Sequence, residues 1–172
     1  TKNSTTFLRG DNTFNAPPNT GITEADQFRL TADISNPSGD ISSNLERVDD
    51  ATFAKIGTGM TESSGIYTFP STGLYLVTLI TQTTAINDAA MVVTMQSSSN
   101  SGTSYDDIAN SMSGIASGSI NVTMSIGTFV NVTNASTFRV KFASSSFASG
   151  TLKGDTSKTE TGFTFIRLGD SQ

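Results

Sequence analysis

The sequence predicts an all-β domain, a β-sandwich or jelly roll. Three observations predict it. Roughly nine or ten short apolar stretches are separated by turn residues, and none carries a sustained helical period. The chain has 15 Gly and only 15% charged residues, and its polar residues are mostly Ser, Thr and Asn, a balance that suits strands and turns. Finally, Leu74, Tyr75, Leu76, Val77, Leu79 and Ile80 are apolar at both parities of one strand. Such a strand needs cover on both faces. The sandwich core supplies one cover, and another subunit is the candidate for the other.

The 172 residues suffice for one domain with a proper core. Residues 1–22 read as a stem or linker, rich in Pro, Gly and Asn, with Phe7, Leu8 and Phe14 as anchors. The globular domain is expected over 23–172. Phe28, Leu30, Ala32 and Ile34 alternate with polar residues as a half-exposed strand, broken at Asn36-Pro37. Ala51 to Ile56 reads as a short strand and Gly57 to Ser64 as a loop. Tyr67 and Phe69 alternate with Ile66 and Thr68. Pro70 to Gly73 then turns the chain into the doubly apolar strand.

Asn87-Asp88 reads as a turn. Met91, Val93 and Met95 form the inward side of the next strand, and Ser97 to Ser104 a Ser/Gly/Asn loop. Tyr105 to Ala116 has weak helical spacing but is interrupted by Ser and Gly, so an irregular strand is preferred. Ile120 to Ile126 alternates, Gly127 breaks it, and Val130 and Val132 continue the parity. Phe138, Val140 and Phe142 share one face. Ser144 to Thr161 reads as a long polar connection before a last strand at Phe163 to Leu168.

Composition excludes several functions. The net charge is −5 and the pI about 4.5, and the cations are scattered, so there is no basic stripe for nucleic acid. The chain has 0 Cys and 0 His. That removes Ser-His-Asp and Cys-His catalysis, His- or Cys-ligated zinc and disulfides. No apolar run approaches the roughly 18 residues of a membrane-spanning helix, and no signal peptide is visible. The chain starts at Thr1 rather than Met, as a fragment or processed form would.

Gly65, Tyr67, Pro70, Gly73, Leu74 and Tyr75 fill, in order, a Gly-x-aromatic-x-x-Pro-x-x-Gly-x-Tyr pattern. This resembles the signature of the complement C-one-q globular domain, in the tumour-necrosis-factor-like superfamily. Phe53 to Gly57 and the closing Phe163-Thr164-Phe165-Ile166-Arg167-Leu168 are similar to further strands of that family. The resemblance implies a ten-strand jelly-roll β-sandwich that assembles as a homotrimer and serves as a binding module at the end of a stalk. It implies core or trimer-interface positions for Tyr67, Phe69, Leu74, Tyr75, Leu76 and Val77. Separately, Phe7-Leu8-Arg9-Gly10-Asp11-Asn12-Thr13-Phe14 resembles segments of phage tail-fibre and head-fibre proteins. Together the two resemblances suggest a virion-surface protein, displayed on a fibre or capsid and attaching to a host-surface glycan or protein. Residues 1–22 would then join it to a stalk or capsid protein. A purely structural cap and a secreted complement-like module are the alternatives.

The remaining motifs weigh less. Arg9-Gly10-Asp11 is an integrin-type tripeptide but reads more simply as a turn. Sequons at Asn3, Asn121, Asn131 and Asn134 are expected by chance in so Asn-, Ser- and Thr-rich a chain. Asp49-Asp50 and Asp106-Asp107 could supply oxygens to calcium, but no ligand-loop spacing accompanies them. As paired carboxylates for glycoside hydrolysis they lack any sign of a sugar cleft. No cofactor and no enzyme activity are expected. The contact surface is placed on the loops at 97–104 and 144–161, with Ser98, Asn100, Ser104, Ser146 and Lys153 as candidates.

Overall fold

The computed structural model describes residues 21–172, Gly10, and the backbone of Phe7–Leu8 and Phe14–Asn15. The Asn3 sequon and, apart from Gly10, the Arg9-Gly10-Asp11 turn lie outside the described residues. Thirteen strands and no helix are present among those described. Strands β1 (Phe7–Leu8) and β2 (Phe14–Asn15) pair only with each other, as a two-stranded ribbon. The sandwich begins with β3 (Ala25–Leu30), β4 (Ile34–Ser35), β5 (Gly39–Asp40), β6 (Leu45–Arg47), β7 (Thr61–Ser63) and β8 (Ile66–Thr68). It continues with β9 (Gly73–Ser98), β10 (Asp106–Val132), β11 (Arg139–Ser145), β12 (Thr151–Leu152) and β13 (Gly162–Gly169).

Two of these strands organise the rest. β9 and β10, of 26 and 27 residues, form one antiparallel hairpin. Its first half, Leu74 to Ile80, pairs with β13, which pairs with β3 and then β6. Its second half, Val92 to Ser98, pairs with β11, which pairs with β8 and then β7. The hairpin therefore contributes to two leaves. Their inner faces meet in a cluster of rings: Tyr67 of β8 lies 5.1 Å from Phe28 and 4.9 Å from Phe165, and Phe142 of β11 lies 4.7 Å from Phe163. Edge-on and tilted rings at these separations add to what burial alone contributes. Met91, Val93 and Met95 are fully buried beside them.

The hairpin passes from one leaf to the other at a corner. Asn87 has φ +46° and Gly118 opposite has φ +95°, and the Gly118 N–H donates to Asn87 Oδ1 at 2.8 Å. Bulges fall between Ser113 and Ile115 and between Ile115 and Ser119, and extra residues of this kind bend a strand. Asp88 is buried, and its Oδ2 accepts the backbone N–H groups of Ala148, Ser149 and Gly150 at 2.9, 3.1 and 2.9 Å. Asn87-Asp88 is thus a bend within a strand, and the expected turn between strands is corrected. The buried carboxylate is retained because three N–H donors replace its water.

Other expectations change too. Gly127 does not end its strand, because its pairing with Thr78 continues the ladder. Ala51 to Ile56 is not a strand; Ile56 alone bridges to Ala25. The connection 144–161 is not wholly polar loop, since β12 within it pairs with β9 and β4 and buries Leu152. The β1–β2 ribbon falls within residues 1–22, the segment expected as a stem.

Asp49 and Asp50 also have a structural partner. Arg29 is fully buried, and its guanidinium reaches Glu46, Asp49 and Asp50 at 2.7, 2.7 and 2.9 Å. It also donates to the Thr156 carbonyl. One cation thereby ties two loops to β3 and accounts for the acidic pair without calcium. Burial acts to lower the Arg29 pKa, but hydrogen bonds and charge from Glu46 and Asp50 outweigh it, so the net shift is upward.

Candidate functional site

Side chains of β9 alternate across the first leaf. Tyr75, Val77 and Leu79 point into the core and are essentially inaccessible. Leu74 and Leu76 stay half-buried, and Ile80 is 51% exposed. The register aligns Ile166 of β13, Leu76 of β9 and Phe129 of β10 in one outward row. Thr164, Thr78 and Gly127 form the next row, and Gly162, Ile80 and Ser125 the one after. Phe129 is 62% exposed. This outer face is apolar and small-residued, and nothing among the described residues covers it. From Gly73 to Phe138 the only charged residues are Asp88, Asp106 and Asp107, and Asp88 is buried at the corner. No exposed charge interrupts the face on either long strand.

The edge beside it is equally bare. Among the described residues β10 pairs only with β9, so its other edge offers backbone groups that none of them takes up. From Ile108 to Val132 it has no charge and no proline, the usual protections of an open edge. An uncharged face running into an unguarded edge is what a surface covered by another polypeptide requires.

The remaining residues singled out in the sequence belong to the core. Tyr67 is 0% exposed, and Phe69 stacks edge-on to Tyr75 at 4.8 Å. The Tyr75 hydroxyl lies 2.9 Å from Ser71 Oγ and donates to the Ser71 carbonyl at 3.1 Å, closing the Pro70–Gly73 turn. Burial raises the Tyr75 phenol above its ordinary value, with the Ser71 hydrogen bond acting the other way. The Tyr67 phenol is pushed well above its ordinary value, first by burial and then by the charges of Glu62 and Asp26. Its hydroxyl has no hydrogen-bond partner.

The loop candidates fall into two places. Ser98 is buried, and its Oγ pairs with Asn100 Oδ1 at 2.8 Å and accepts the Gly102 N–H at 3.0 Å. Asn100 Nδ2 donates to Ser104 Oγ at 2.9 Å. These three knit the β9–β10 tip together. Ser146 is exposed just past β11, whose first residue faces Ser98 and whose last faces Val92. That separates Ser146 from the tip by about 20 Å of strand. Lys153 pairs with Asp33 beside the corner. The two loops therefore do not form one surface. Among the described residues no group of three or more ligating side chains could hold a metal ion.

Sequence reasoning missed Phe129 and Ile166 as members of the outer face. The signal for Phe129 was an aromatic at the polar parity of the 120–132 strand.

Two leaves are thus joined through one bent hairpin, with β13 inserted between β3 and β9. The fold is tumour-necrosis-factor-like. The chain is similar to the Eiger TNF structure from S. frugiperda, with TM-score 0.69 over 88% of this chain and 96% of that one, at 12% identity. It is also similar to murine APRIL, at pH 8.5 and pH 5.0, with TM-scores 0.56 and 0.57 over 84% of this chain and 98% of that one, again at 12% identity. No protein-family model matches the chain, and no curated sequence is similar to it. At this identity the likeness is one of fold. The jelly roll expected from the Gly65–Tyr75 pattern is present.

Proposed function

We propose that the chain is a non-enzymatic binding module that assembles as a homotrimer and is displayed on a virion surface, where it attaches to a host-surface glycan or protein. The observation that carries the assembly is the uncharged outer face of β13, β9 and β10, with Leu76 in its middle strand and Phe129 exposed beside it. Burying that face between copies removes apolar surface from water at about 25 cal/mol per Å². The structural neighbours, named as TNF and APRIL, favour a ligand-like module over an enzyme. The Phe7–Phe14 segment and the Ser/Thr/Asn-rich, weakly charged composition favour a fibre or capsid setting. Three copies present each loop three times, so weak single-site contacts multiply when the ligand is dense.

Light scattering of the purified chain tests the assembly, and three copies of 18.0 kDa are expected. Binding to a glycan array and to host cells tests attachment. A monomer defeats the trimer, and normal trimers that bind nothing defeat attachment. That last outcome favours a structural fibre or capsid cap, a reading supported by the internally satisfied Ser98–Ser104 loop. A secreted ligand module is the third reading, supported by the names of the structural neighbours alone.

A further inference from the structure

Among the described residues the two leaves end in β6 and β7, each paired on one edge only. Between them runs a groove of about 440 Å³, within the range of about 300–1,000 Å³ that small-ligand clefts occupy. Leu45, Glu46 and Arg47 of β6 line it on one side and Thr61 and Glu62 of β7 on the other, with Lys55 and Thr58 completing the lining over the buried Phe28 and Met60.

The two cations of this groove keep donors in reserve. Asp26 is 2% exposed, and it accepts from Arg47 Nε at 2.9 Å and from Nη2 at 3.0 Å. Nη2 also donates to the Met60 carbonyl at 2.6 Å, and the guanidinium lies over the Phe28 ring at 4.9 Å. Arg47 is thereby fixed, and its bonds use the Nε–Nη2 side of the fork. A guanidinium carries five N–H donors, and the two on Nη1 have no partner among the described residues. Lys55 spends one N–H on the Thr58 carbonyl and makes no ion pair among those residues. A Cβ on Gly59 would lie 2.6 Å from Asp26 Oδ2 and 2.8 Å from Lys55 Cδ, so glycine there admits both side chains.

Two acids of the groove keep acceptors in reserve. Glu46 Oε1 accepts from Arg29 Nε at 2.7 Å, and Glu62 Oε1 accepts the Gly65 N–H at 2.7 Å. Oε2 of each has no partner among the described residues. Spare cationic donors and spare anionic acceptors thus share one groove. A polyphosphate would meet Glu46 and Glu62 and be repelled. A wholly apolar ligand would bury these groups unpaired. An added strand would meet three-residue edges that carry Glu46, Arg47 and Glu62, and such charges guard an edge. A polyhydroxylated acid fits: its carboxylate takes the N–H groups of Lys55 and Arg47, and its hydroxyls donate to Glu46 and Glu62.

We propose that the groove between β6 and β7 binds an acidic sugar, a pyranose carrying a carboxylate. The choice of a sugar rests on the attachment reading above. Lys55, the cation of the groove that no carboxylate neutralises, sets the preference for an acid over a neutral sugar.

Amide chemical-shift mapping of the full chain tests it. The probes are the methyl glycosides of glucuronic, galacturonic and N-acetylneuraminic acids, with methyl glucoside as the neutral control. At least one acid is expected to shift the amides from Thr58 to Glu62, and the glucoside to leave them in place. Lys55→Gln is expected to weaken that acid about tenfold or more, the loss of one charge-assisted hydrogen bond. Lys158→Gln removes the same charge outside the groove and is expected to change nothing. No shift at 58–62 with any of the acids, equal shifts with the glucoside, or acid binding that survives Lys55→Gln would overturn the proposal. Host-cell binding that Lys55→Gln leaves intact would overturn the groove and spare the attachment reading. An acid held in the groove by a chain that attaches to no cell would do the reverse.

Discussion

Phe129 stands directly opposite Leu76 across the β9–β10 ladder, and both side chains point out of the sandwich. A charge placed there meets water in a monomer and a dry surface in an assembly. Phe129→Asp and Leu76→Asp are therefore expected to yield folded monomers, with unfolding midpoints changed little once the assembly is dissociated. Light scattering together with circular dichroism checks both halves of the expectation. A trimer that survives the double variant would place the assembly surface elsewhere.

Tyr67 contacts four rings, those of Phe28, Phe142, Phe163 and Phe165, with an unpartnered hydroxyl. A buried polar atom without a partner costs about 1–3 kcal/mol. Tyr67→Phe keeps the ring contacts and removes that cost, so it is expected to leave stability unchanged or raise it by about 1 kcal/mol. Tyr67→Ala opens a cavity and is expected to cost about 3–5 kcal/mol. Urea denaturation of the two variants measures the difference.

Arg29 holds Glu46, Asp49 and Asp50 together. Arg29→Leu leaves three carboxylates crowded around an apolar side chain. The carboxylates left behind are partly open to water, so the loss expected at pH 7 is that of charge-assisted hydrogen bonds, about 1.5–3 kcal/mol. Urea denaturation of the variant measures it, and an unchanged stability would mean that the three ion pairs contribute nothing.

The pH profile of the unmodified chain has two flanks. The Asp33 pKa is held below its ordinary value of 3.8, first by its bond to Lys153, with burial opposing and the Gly154 N–H assisting. A carboxylate with a depressed folded-state pKa stabilises above the unfolded value, and the contribution is lost as pH falls through the folded one. Tyr67 is raised well above 10.0, so its contribution is complete below that pH and is lost as pH climbs past it. Arg29, raised above its already high ordinary value by Glu46 and Asp50, stays charged throughout. Denaturation midpoints are expected to be level across neutral pH, falling below about 3.8 and above about 10. Tyr67→Phe should flatten the alkaline flank.

Asp88 accepts three loop N–H groups. Asp88→Ala leaves all three without their acceptor and is expected to cost at least about 3 kcal/mol. Hydrogen exchange should quicken first at 148–150 and at the corner.

What was legible in the sequence was mostly what local periodicity encodes. The parity of Tyr75, Val77 and Leu79, and of Met91, Val93 and Met95, identifies the inner faces. Gly65 was legible only as the first position of the Gly-x-aromatic pattern, and the structure adds the physical reason: it turns the chain at φ +80°, and a Cβ there would lie 2.3 Å from the Ile41 carbonyl oxygen. The corner was not legible. Asn87-Asp88 has turn chemistry, yet the carboxylate is spent on a loop 60 residues away. The outer face was half legible, because Leu74, Leu76 and Ile80 signalled a need for cover while Phe129 belongs to another strand and needs the register. The partnership of Arg29 with Asp49 and Asp50 depends on loops meeting in space, which spacing does not reveal.

The place of β13 has a consequence for synthesis. Gly162–Gly169 is made after every other strand of the sandwich, yet it lies between β3 and β9, with Phe163 facing Phe28 on one side and Leu79 on the other. Until it emerges from the ribosome, two strands made long before wait with open edges, and the first half of the hairpin has no neighbour to join it to β3. A stop near residue 160 would remove the middle of a sheet rather than its margin, and with it two of the four rings gathered around Tyr67.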